Sequence, residues 1–334
     1  MEGDDDHSRG RRRGRRHHRA PRALNRRPDP TLDGALAALA AGELAILPTE
    51  TVYGLAADAR APLAVARIFA AKGRPRFNPL IAHVADIAAA GALAGLDERA
   101  IRLAQAFWPG PLTLVTPVRD TAAVCDLARA GLDTVAVRVP AHPVAQALLR
   151  GFGHAIVAPS ANRSGRPSPT TFSDAMAETG VSAAAALDGG PCAVGLESTV
   201  VALLDGPPRL LRPGAVTREE IEALIGPLAE AQADARRSPG RLTRHYAPAA
   251  PLRLEAVTPR PGEAFLAFGA APAGPAVFNL SERGDLTEAA ARLFSLLRAA
   301  DDLRPSAIAV APIPSEGLGE AINDRLRRAA GHVG

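Results

Sequence analysis

Short apolar segments of strand length alternate with helical segments rich in Ala and Leu from residue 31 to about residue 225. Strands are predicted at 43–48, 79–84, 111–118, 135–140, 156–159, 199–204 and 208–211, and helices at 31–41, 61–72, 98–107, 143–149, 169–178 and 218–225. Only 4% of the residues are aromatic, so the core must be built from aliphatic side chains. This alternation predicts an α/β fold, because each element must bury its apolar side against another layer.

A second, smaller unit is predicted after a break in this pattern. Residues 227–250 are rich in Ala and Arg, and they include a Ser-Pro-Gly turn at 238–240 and the segment His-Tyr-Ala-Pro at 245–248. Beyond them, strand candidates at 264–268, 276–280 and 307–311 alternate with amphipathic helices at 286–300 and 319–330. We therefore predict a main domain at 30–226, a linker at 227–250 and a small α/β domain at 251–334. A length of 334 residues fits two domains.

Positive charge is concentrated at the amino terminus. The net charge is +4, but residues 1–27 hold ten arginines and four acidic residues, which gives +6 there and −2 for the remainder. Such a segment has nothing apolar to bury, so residues 1–29 are predicted to be a disordered Arg-rich tail. It could contact RNA weakly as a polycation or simply be a solvated extension, and the sequence leaves both interpretations open.

Several common classes of protein are excluded by what the sequence lacks. Two cysteines cannot supply a disulfide framework or a four-cysteine zinc site, and the eight histidines show no metal-ligand spacing. Walker A, G-x-G-x-x-G and G-x-S-x-G patterns are also absent. The sequence shows no secretory signal and no membrane-length apolar run, so we expect a cytoplasmic protein without membrane contact.

Polar loops of unusual density follow the predicted strands. Residues 48–55 place Thr49, Glu50, Thr51 and Tyr53 at one strand end. Two hydroxyls, a carboxylate and a phenol suit the binding of a small polar ligand. Capping of backbone groups in a strand-to-helix loop is an equally good interpretation of this segment alone.

Lys72 is the single lysine among 39 basic residues. A lysine retained against such a bias for arginine indicates a role that a planar guanidinium cannot fill. Arg74 follows it two residues later on a turn, with Asn78 and His83 beyond. Two cations on a turn can converge on one phosphate chain, although Lys72 could instead serve the carboxyl end of a helix.

Other candidate ligand-binding residues lie on strands and at strand ends. Thr134 and Arg138 share one face of an alternating strand, where the arginine is either ion-paired or directed at an anion. Ser160 and Asn162 leave a strand, and the helix that begins after Ser168 offers free N–H groups as a seat for phosphate. Residues 195–199 and 211–214 add a further hydroxyl pair and the isolated Arg212.

Seven segments together resemble the L-threonylcarbamoyladenylate synthase (YrdC-like) family: LPTETVYGLAADA, AKGRPRFNPLIAHV, FWPGPLTLV, VAVRVP, APSANRSGRPSPT, LDGGPCAVGLESTVV and LLRPG. The linker SPG…RHYAP and the segment EGLGEAINDRLRRAAG are similar to the long, two-domain form, and the resemblance runs collinearly from about residue 32 to 330. It implies a twisted, largely parallel α/β sheet with a concave cationic cavity, a linker folded over that cavity and a small Rossmann-like domain.

The resemblance also implies the activity: synthesis of L-threonylcarbamoyl-AMP and pyrophosphate from L-threonine, bicarbonate or CO2 and ATP, with Mg2+ held mainly by the ATP phosphates and no metal site on the protein. A partner transferase complex would then move the threonylcarbamoyl group to a tRNA adenosine. Position by position, it assigns L-threonine to Thr51, His83, Arg138, Ser160 and Ser198, and ATP to Arg74, Asn78, Thr134, Asn162, Thr170, Arg212 and Tyr246. Lys72 and Arg74 are the implied catalytic residues. Residues 241–243 (Arg-Leu-Thr) depart from the family's Met-Lys-Tyr-like triplet.

Two other interpretations compete with this one. A carbamoyl-transfer enzyme can share the same fold, but such relatives carry cysteine-rich zinc fingers that two cysteines cannot form. An RNA-binding module would use the basic tail, and the charge of −2 on the remainder argues against that as the primary role.

Overall fold

A computed structural model of the chain describes residues 27–230 and 245–331. The predicted tail up to residue 26 lies outside these ranges, as do residues 231–244 of the predicted linker. Asp29, which the sequence prediction placed in the tail, instead forms a β-bridge with Ala185. Its carboxylate also accepts hydrogen bonds from the backbone N–H and the hydroxyl of Thr31, at 2.8 and 2.6 Å, so it belongs to the folded start of the first helix.

We call residues 27–230 the large unit. Its strands are β1 (Ala45–Leu47), β2 (Gly54–Asp58), β3 (Ile81–His83), β4 (Leu112–Pro117), β5 (Thr134–Arg138), β6 (Ile156–Val157), β7 (Ala185–Ala186), β8 (Thr199–Ala202), β9 (Arg209–Arg212) and β10 (Ala229–Glu230). Its helices are α1 (Leu32–Ala40), α2 (Pro62–Lys72), α3 (Ile87–Leu93), α4 (Glu98–Phe107), α5 (Asp126–Arg129), α6 (Pro143–Phe152), α7 (Phe172–Thr179) and α8 (Arg218–Ile225).

These ten strands form one sheet in the order β10-β9-β8-β4-β5-β3-β6-β2-β1-β7. Four of its nine pairings are parallel (β10–β9, β8–β4, β5–β3 and β1–β7) and five are antiparallel. The predicted α/β class is confirmed, and the large sheet mixes parallel and antiparallel pairings. Its short connections, such as β1 to β2 and β8 to β9, join neighbouring strands in the antiparallel sense.

We call residues 245–331 the small unit. It contains β11 (Leu252–Arg253), β12 (Ala264–Ala267), β13 (Val277–Asn279), β14 (Ile308–Val310), α9 (Leu286–Asp302) and α10 (Leu318–Ala329). Its sheet has the order β11-β14-β12-β13, and each of its three pairings is parallel, as a Rossmann-like unit requires. Across both sheets, seven of the twelve pairings of the described strands are parallel.

The strand β2 was not predicted, because Gly and Ala give its sequence weak strand propensity. All five of its residues are buried, and it pairs with β1 and β6. The polar loop that follows β1 therefore connects two antiparallel strands, not a strand and a helix as predicted. The loop is consequently held at both ends by the sheet.

Each unit has its own apolar core, but the cores meet. The core of the small unit, built on α9 and α10, also contains Val52 and Leu196 of the large unit. Both residues are buried, and each is the chain neighbour of a polar residue, Thr51 and Glu197 respectively. The small unit thus packs directly against two loops of the large unit. Over the described ranges, no helix combines the length and the apolarity that crossing a membrane demands.

Candidate functional site

A cavity lies where these loops meet the small unit. It is lined by Thr49, Thr51, Val52, Gly54, Arg74, Pro79, Leu80, Ile81, His83, Arg138, Ala158, Pro159, Ser160, Glu197, Ser198, Arg212, His245 and Tyr246. Eight of the thirteen predicted site residues are among them: Thr51, Arg74, His83, Arg138, Ser160, Ser198, Arg212 and Tyr246. The structure therefore brings residues from six of the seven quoted segments and from the linker to one place.

Arg138, the last residue of β5, anchors one side of the cavity. Its guanidinium donates to the Gly110 carbonyl (3.1 Å), to Thr51 Oγ1 (2.9 Å) and to Glu50 Oε1 (2.5 Å). It is 3% exposed, so this network holds the charge in one orientation facing the cavity. Of the two alternatives for this arginine, the ion pair is present, and the same side chain also lines the cavity.

Two neighbouring groups respond to that buried charge. Burial alone would raise the pKa of Glu50, but the guanidinium of Arg138 outweighs it and holds the pKa below its ordinary value. His83 lies beside Arg138 in the parallel register of β3 and β5. Burial, reinforced by Arg138, lowers the pKa of His83 to about 3. At neutral pH the site thus presents a carboxylate and a neutral imidazole around one guanidinium.

A second polar cluster lies around Ser198, just before β8. Its hydroxyl is 2.7 Å from Thr113 Oγ1, and Arg212 donates to the Ser198 carbonyl (2.9 Å) and hydroxyl (3.2 Å). Arg212 ends β9, so the β8–β9 pair delivers both residues to the same edge. Thr113 was not predicted. Its only sequence signal is a hydroxyl on a mostly apolar strand, β4, which also carries Thr116.

The two predicted catalytic residues, Lys72 and Arg74, occupy different positions relative to the cavity. Arg74 lines the cavity, donates to the Pro79 carbonyl at 3.1 Å, and has its pKa lowered to about 10 by burial. Lys72 instead lies behind the cavity wall, 3% exposed, and its ammonium donates to the carbonyls of Ser160 (2.5 Å) and Asn162. Burial, then the charge of Arg74, lowers the pKa of Lys72 well below its usual value. Lys72 is not among the lining residues, and its contact with phosphate remains a prediction.

Four further predicted residues are buried but do not line the cavity: Asn78, Thr134, Asn162 and Thr170. Thr134 begins β5 and Arg138 ends it, so four residues of extended chain separate them by roughly 13 Å. The side-chain oxygens of Asn78 and Asn162 are buried and have no hydrogen-bond partner within the described residues. Buried polar atoms are almost always paired, so these oxygens indicate space for a ligand or water.

Tyr246 and His245 close the cavity from the small unit's side. Tyr246 adopts a positive φ of 63° and packs on Phe294 at 5.5 Å and on His245 at 4.0 Å between ring centroids. Its hydroxyl is buried and makes no hydrogen bond in the described part of the chain. Burial lowers the pKa of His245 to about 3, so this residue adds no charge. Of the two, only Tyr246 was predicted.

The lining is cationic, as expected. Arg74, Arg138 and Arg212 face it, and among the lining residues Glu197 is the one carboxylate. Both oxygens of Glu197 are engaged, one by the Ser168 hydroxyl and the other by Arg325 at 2.9 Å. The described residues also contain no cluster of three or more His, Cys, Asp or Glu side chains that could hold a metal ion. The three arginines and the hydroxyls suit an anionic ligand.

An α/β fold with a buried, hydroxyl- and arginine-lined cavity defines a protein that binds small anionic molecules. A family model for the Sua5, YciO and YrdC proteins, described as telomere recombination, matches residues 37–214. A second, described as the C-terminal domain of threonylcarbamoyl-AMP synthase, matches residues 216–331. The chain belongs to the Sua5–YciO–YrdC family, in the two-domain form.

Relatives match nearly end to end. The threonylcarbamoyl-AMP synthase of Bacillus subtilis is 41% identical over 325 residues, covering 91% of this chain and 94% of that protein. The enzyme of the same name from Pyrococcus abyssi is 41% identical over 315 residues, covering 87% and 91%. Crystallised P. abyssi Sua5 in complex with L-threonine superposes with a TM-score of 0.83, at 39% identity over 90% of this chain and 94% of that one.

Proposed function

We propose that this protein catalyses the ATP-dependent synthesis of L-threonylcarbamoyl-AMP, with release of pyrophosphate, from L-threonine, bicarbonate or CO2 and MgATP. The observation that carries the proposal is the convergence of three arginines, the buried Arg138 and Arg212 and the half-buried Arg74, with Thr51, Ser160 and Ser198 on one cavity. Arginines suit the phosphates and carboxylates of these substrates, while the hydroxyls suit an amino acid. The names of the B. subtilis and P. abyssi relatives support the same activity.

We assign L-threonine to the side of the cavity formed by Thr51, His83, Arg138, Ser160 and Ser198. Arg138 is fixed by its three hydrogen bonds, so a carboxylate can be bound without reorganising the site. The neutral imidazole of His83 can accept a hydrogen bond from an amine or donate one to an oxygen without adding a competing charge. The L-threonine complex of P. abyssi Sua5 supports this assignment.

We assign ATP to Arg74, Asn78, Thr134, Asn162, Thr170, Arg212 and Tyr246. The buried oxygens of Asn78 and Asn162 and the hydroxyl of Tyr246, which lack partners among the described residues, would be satisfied by the nucleotide. Arg74 is then the catalytic cation. Lys72 is a positioning residue, because it holds the Ser160 and Asn162 carbonyls and does not face the cavity.

The chemistry requires orientation and charge stabilisation more than covalent help. The neutral amine of threonine adds to CO2 and releases one proton to solvent, and an oxygen of the resulting carbamate attacks the α-phosphorus in line and expels pyrophosphate. Arg74 and Arg212 would stabilise the charge that develops on the phosphate oxygens. The Mg2+ ion enters as part of the substrate, since the one lining carboxylate, Glu197, is already occupied. A site closed by Tyr246 would protect the labile carbamate and mixed anhydride from water.

The product is a reactive acyl-adenylate, so it requires an acceptor. We propose that a threonylcarbamoyl transferase complex consumes it in the cytoplasm, on a tRNA adenosine. The predicted weak RNA contact of the Arg-rich tail falls on residues outside the described ranges and remains a prediction.

The test is pyrophosphate release from MgATP, with L-threonine and bicarbonate each present or omitted. We expect release to require both, together with an acid-labile threonine–AMP adduct detected by mass spectrometry. ATP hydrolysis that is indifferent to threonine would overturn the proposal. Turnover of carbamoyl phosphate in place of threonine and bicarbonate would support the carbamoyl-transfer alternative.

A further inference from the structure

The cavity is tied to the small unit by a buried ion pair. Arg325, on α10, donates from Nε to Glu197 Oε2 at 2.9 Å, and the side chains are 1% and 8% exposed. Glu197 lines the cavity, whereas Arg325 lies outside it. A charge in the small unit is therefore compensated by a carboxylate that forms part of the site in the large unit.

Arg325 reaches two other parts of the cavity wall. Its Nη1 donates at 2.8 Å to the carbonyl of Pro213, which directly follows Arg212. Its guanidinium carbon lies 5.4 Å from the centre of the Tyr246 ring, in cation–π geometry. One side chain thus contacts the segments that carry Glu197, Arg212 and Tyr246.

The packing around this pair leaves little freedom. Leu196, adjacent to Glu197, is buried in the core of the small unit. A Cβ at Gly195 would lie 2.5 Å from Cα of Ala291 on α9, so the loop and that helix meet backbone to backbone. Gly195 also has a φ of +74°, a conformation that favours glycine. The loop that carries Glu197 and Ser198 is therefore seated on the small unit.

We infer that Arg325 is a positioning residue for the ATP site, through which the small unit sets the placement of Glu197, Arg212 and Tyr246. This inference rests on the proposed function. Glu197 pairs with the Arg325 guanidinium, which also contacts Pro213 and Tyr246. Because the guanidinium is planar, its N–H groups can donate hydrogen bonds at the edge while its face lies against the Tyr246 ring. The small unit is accordingly part of the site and not only an appended domain.

The kinetic test compares Arg325→Met with Glu320→Gln. Glu320 also lies on α10 and pairs with Arg218 of the large unit at 2.7 Å, but neither residue lines the cavity. We expect Arg325→Met to lower kcat/KM for ATP by about tenfold or more, mainly through KM, and Glu320→Gln to leave it within about twofold. Equal effects of the two variants would overturn the inference, because they would reflect only loosened docking.

A spectroscopic test reads the position of Tyr246 directly. The chain has two tyrosines, so labelling with 3-fluorotyrosine gives two fluorine resonances, assigned with Tyr246→Phe. The other tyrosine, Tyr53, has a different partner: its hydroxyl donates to the Gly190 carbonyl at 2.7 Å. We expect Arg325→Met to move the Tyr246 resonance and leave the Tyr53 resonance in place, with neither changed in Glu320→Gln. An unmoved Tyr246 resonance would overturn the inference.

The two tests separate this inference from the proposed function. If the wild-type chain forms no threonylcarbamoyl-AMP, the proposed function fails, while the fluorine comparison still decides whether Arg325 fixes Tyr246. If Arg325→Met does not fold, both measurements are made on Arg325→Lys instead. That variant keeps a positive charge opposite Glu197, but its ammonium cannot pack as a plane against Tyr246.

Discussion

Nη1 of Arg138 lies 2.9 Å from Oγ1 of Thr51, which joins the last residue of β5 to the loop between β1 and β2. These residues are 87 positions apart in the sequence, and both are buried. The contact joins two motifs that are distant in the sequence, so both contribute to one wall of the cavity. Thr51 is further bonded to Thr49 at 2.9 Å, which extends the wall through the loop.

Arg138→Lys should lower kcat/KM for L-threonine by about 100-fold, because an ammonium cannot maintain three divergent hydrogen bonds and present a fixed charge. The measurement is initial-rate pyrophosphate release at varied L-threonine. Arg129→Lys is the matched control, since Arg129 is 5% exposed and donates to the Val124 carbonyl at 3.0 Å away from the cavity. A similar loss in both variants would contradict the assignment.

Lys72→Arg should reduce kcat/KM for ATP about tenfold or more, although it preserves the charge. The pocket behind the wall holds a compact ammonium between two carbonyls, and a larger guanidinium would displace Ser160 and Asn162. Steady-state kinetics test this, with Arg67→Lys on the exposed side of α2 as the control. Retention of full activity would indicate that charge alone matters at this position, as a phosphate contact would require.

His83→Gln should make the protein less sensitive to acid between pH 7 and pH 5. The pKa of His83 is about 3 in the folded chain, against an ordinary value near 6.5 in the unfolded chain. Unfolding therefore takes up a proton in this window, so the free energy of unfolding contributed by His83 falls as the pH falls. Thermal unfolding at pH 7, 6 and 5 measures the effect. The exposed His154→Gln is the control, and identical pH dependence in all three proteins would refute the prediction.

L-Serine should be a poor but measurable substrate. It differs from L-threonine by one methyl group, and a hydrophobic contact of that size contributes about 1–3 kcal/mol, or roughly 10- to 200-fold in kcat/KM. Competition between the two amino acids, resolved by mass spectrometry of the adenylates, gives the ratio. Discrimination far beyond this range would mean that the site recognises threonine by something other than the methyl group.

Glu197→Gln and Arg325→Met should not be additive in stability. Removing Arg325 leaves the buried Glu197 carboxylate without its ion pair, and removing Glu197 leaves Arg325 paired with Asp324 alone. Because both single changes break the same contact, the double variant should cost less than the sum of the two. Unfolding by urea, followed by the fluorescence of Trp108, the single tryptophan, reports on the large unit. Strict additivity would show that the two side chains are not coupled.

Local sequence signals were sufficient for the class of fold and for most of its elements. The N-cap of α1 at Thr31 and the end of α2 at Gly73, which adopts a left-handed conformation, are where the residue types predict them. Polar side chains on strand ends identified much of the cavity, because sheet edges bring strand ends together. Their division between threonine and ATP came from the resemblance, not from spacing.

The tertiary structure alone decided the rest. The sequence singled out Lys72 as the one lysine, but its partners are the carbonyls of Ser160 and Asn162, which lie 88 and 90 residues away. Thr113 joins the site through its contact with Ser198, 85 residues away, and Arg325 reaches Glu197 across 128 residues. Periodicity and capping report on neighbours within a few residues, because those are the groups that local backbone geometry brings together. Which distant side chains share a cavity is set by strand pairing and by the packing of one unit on the other, and no local pattern contains that information.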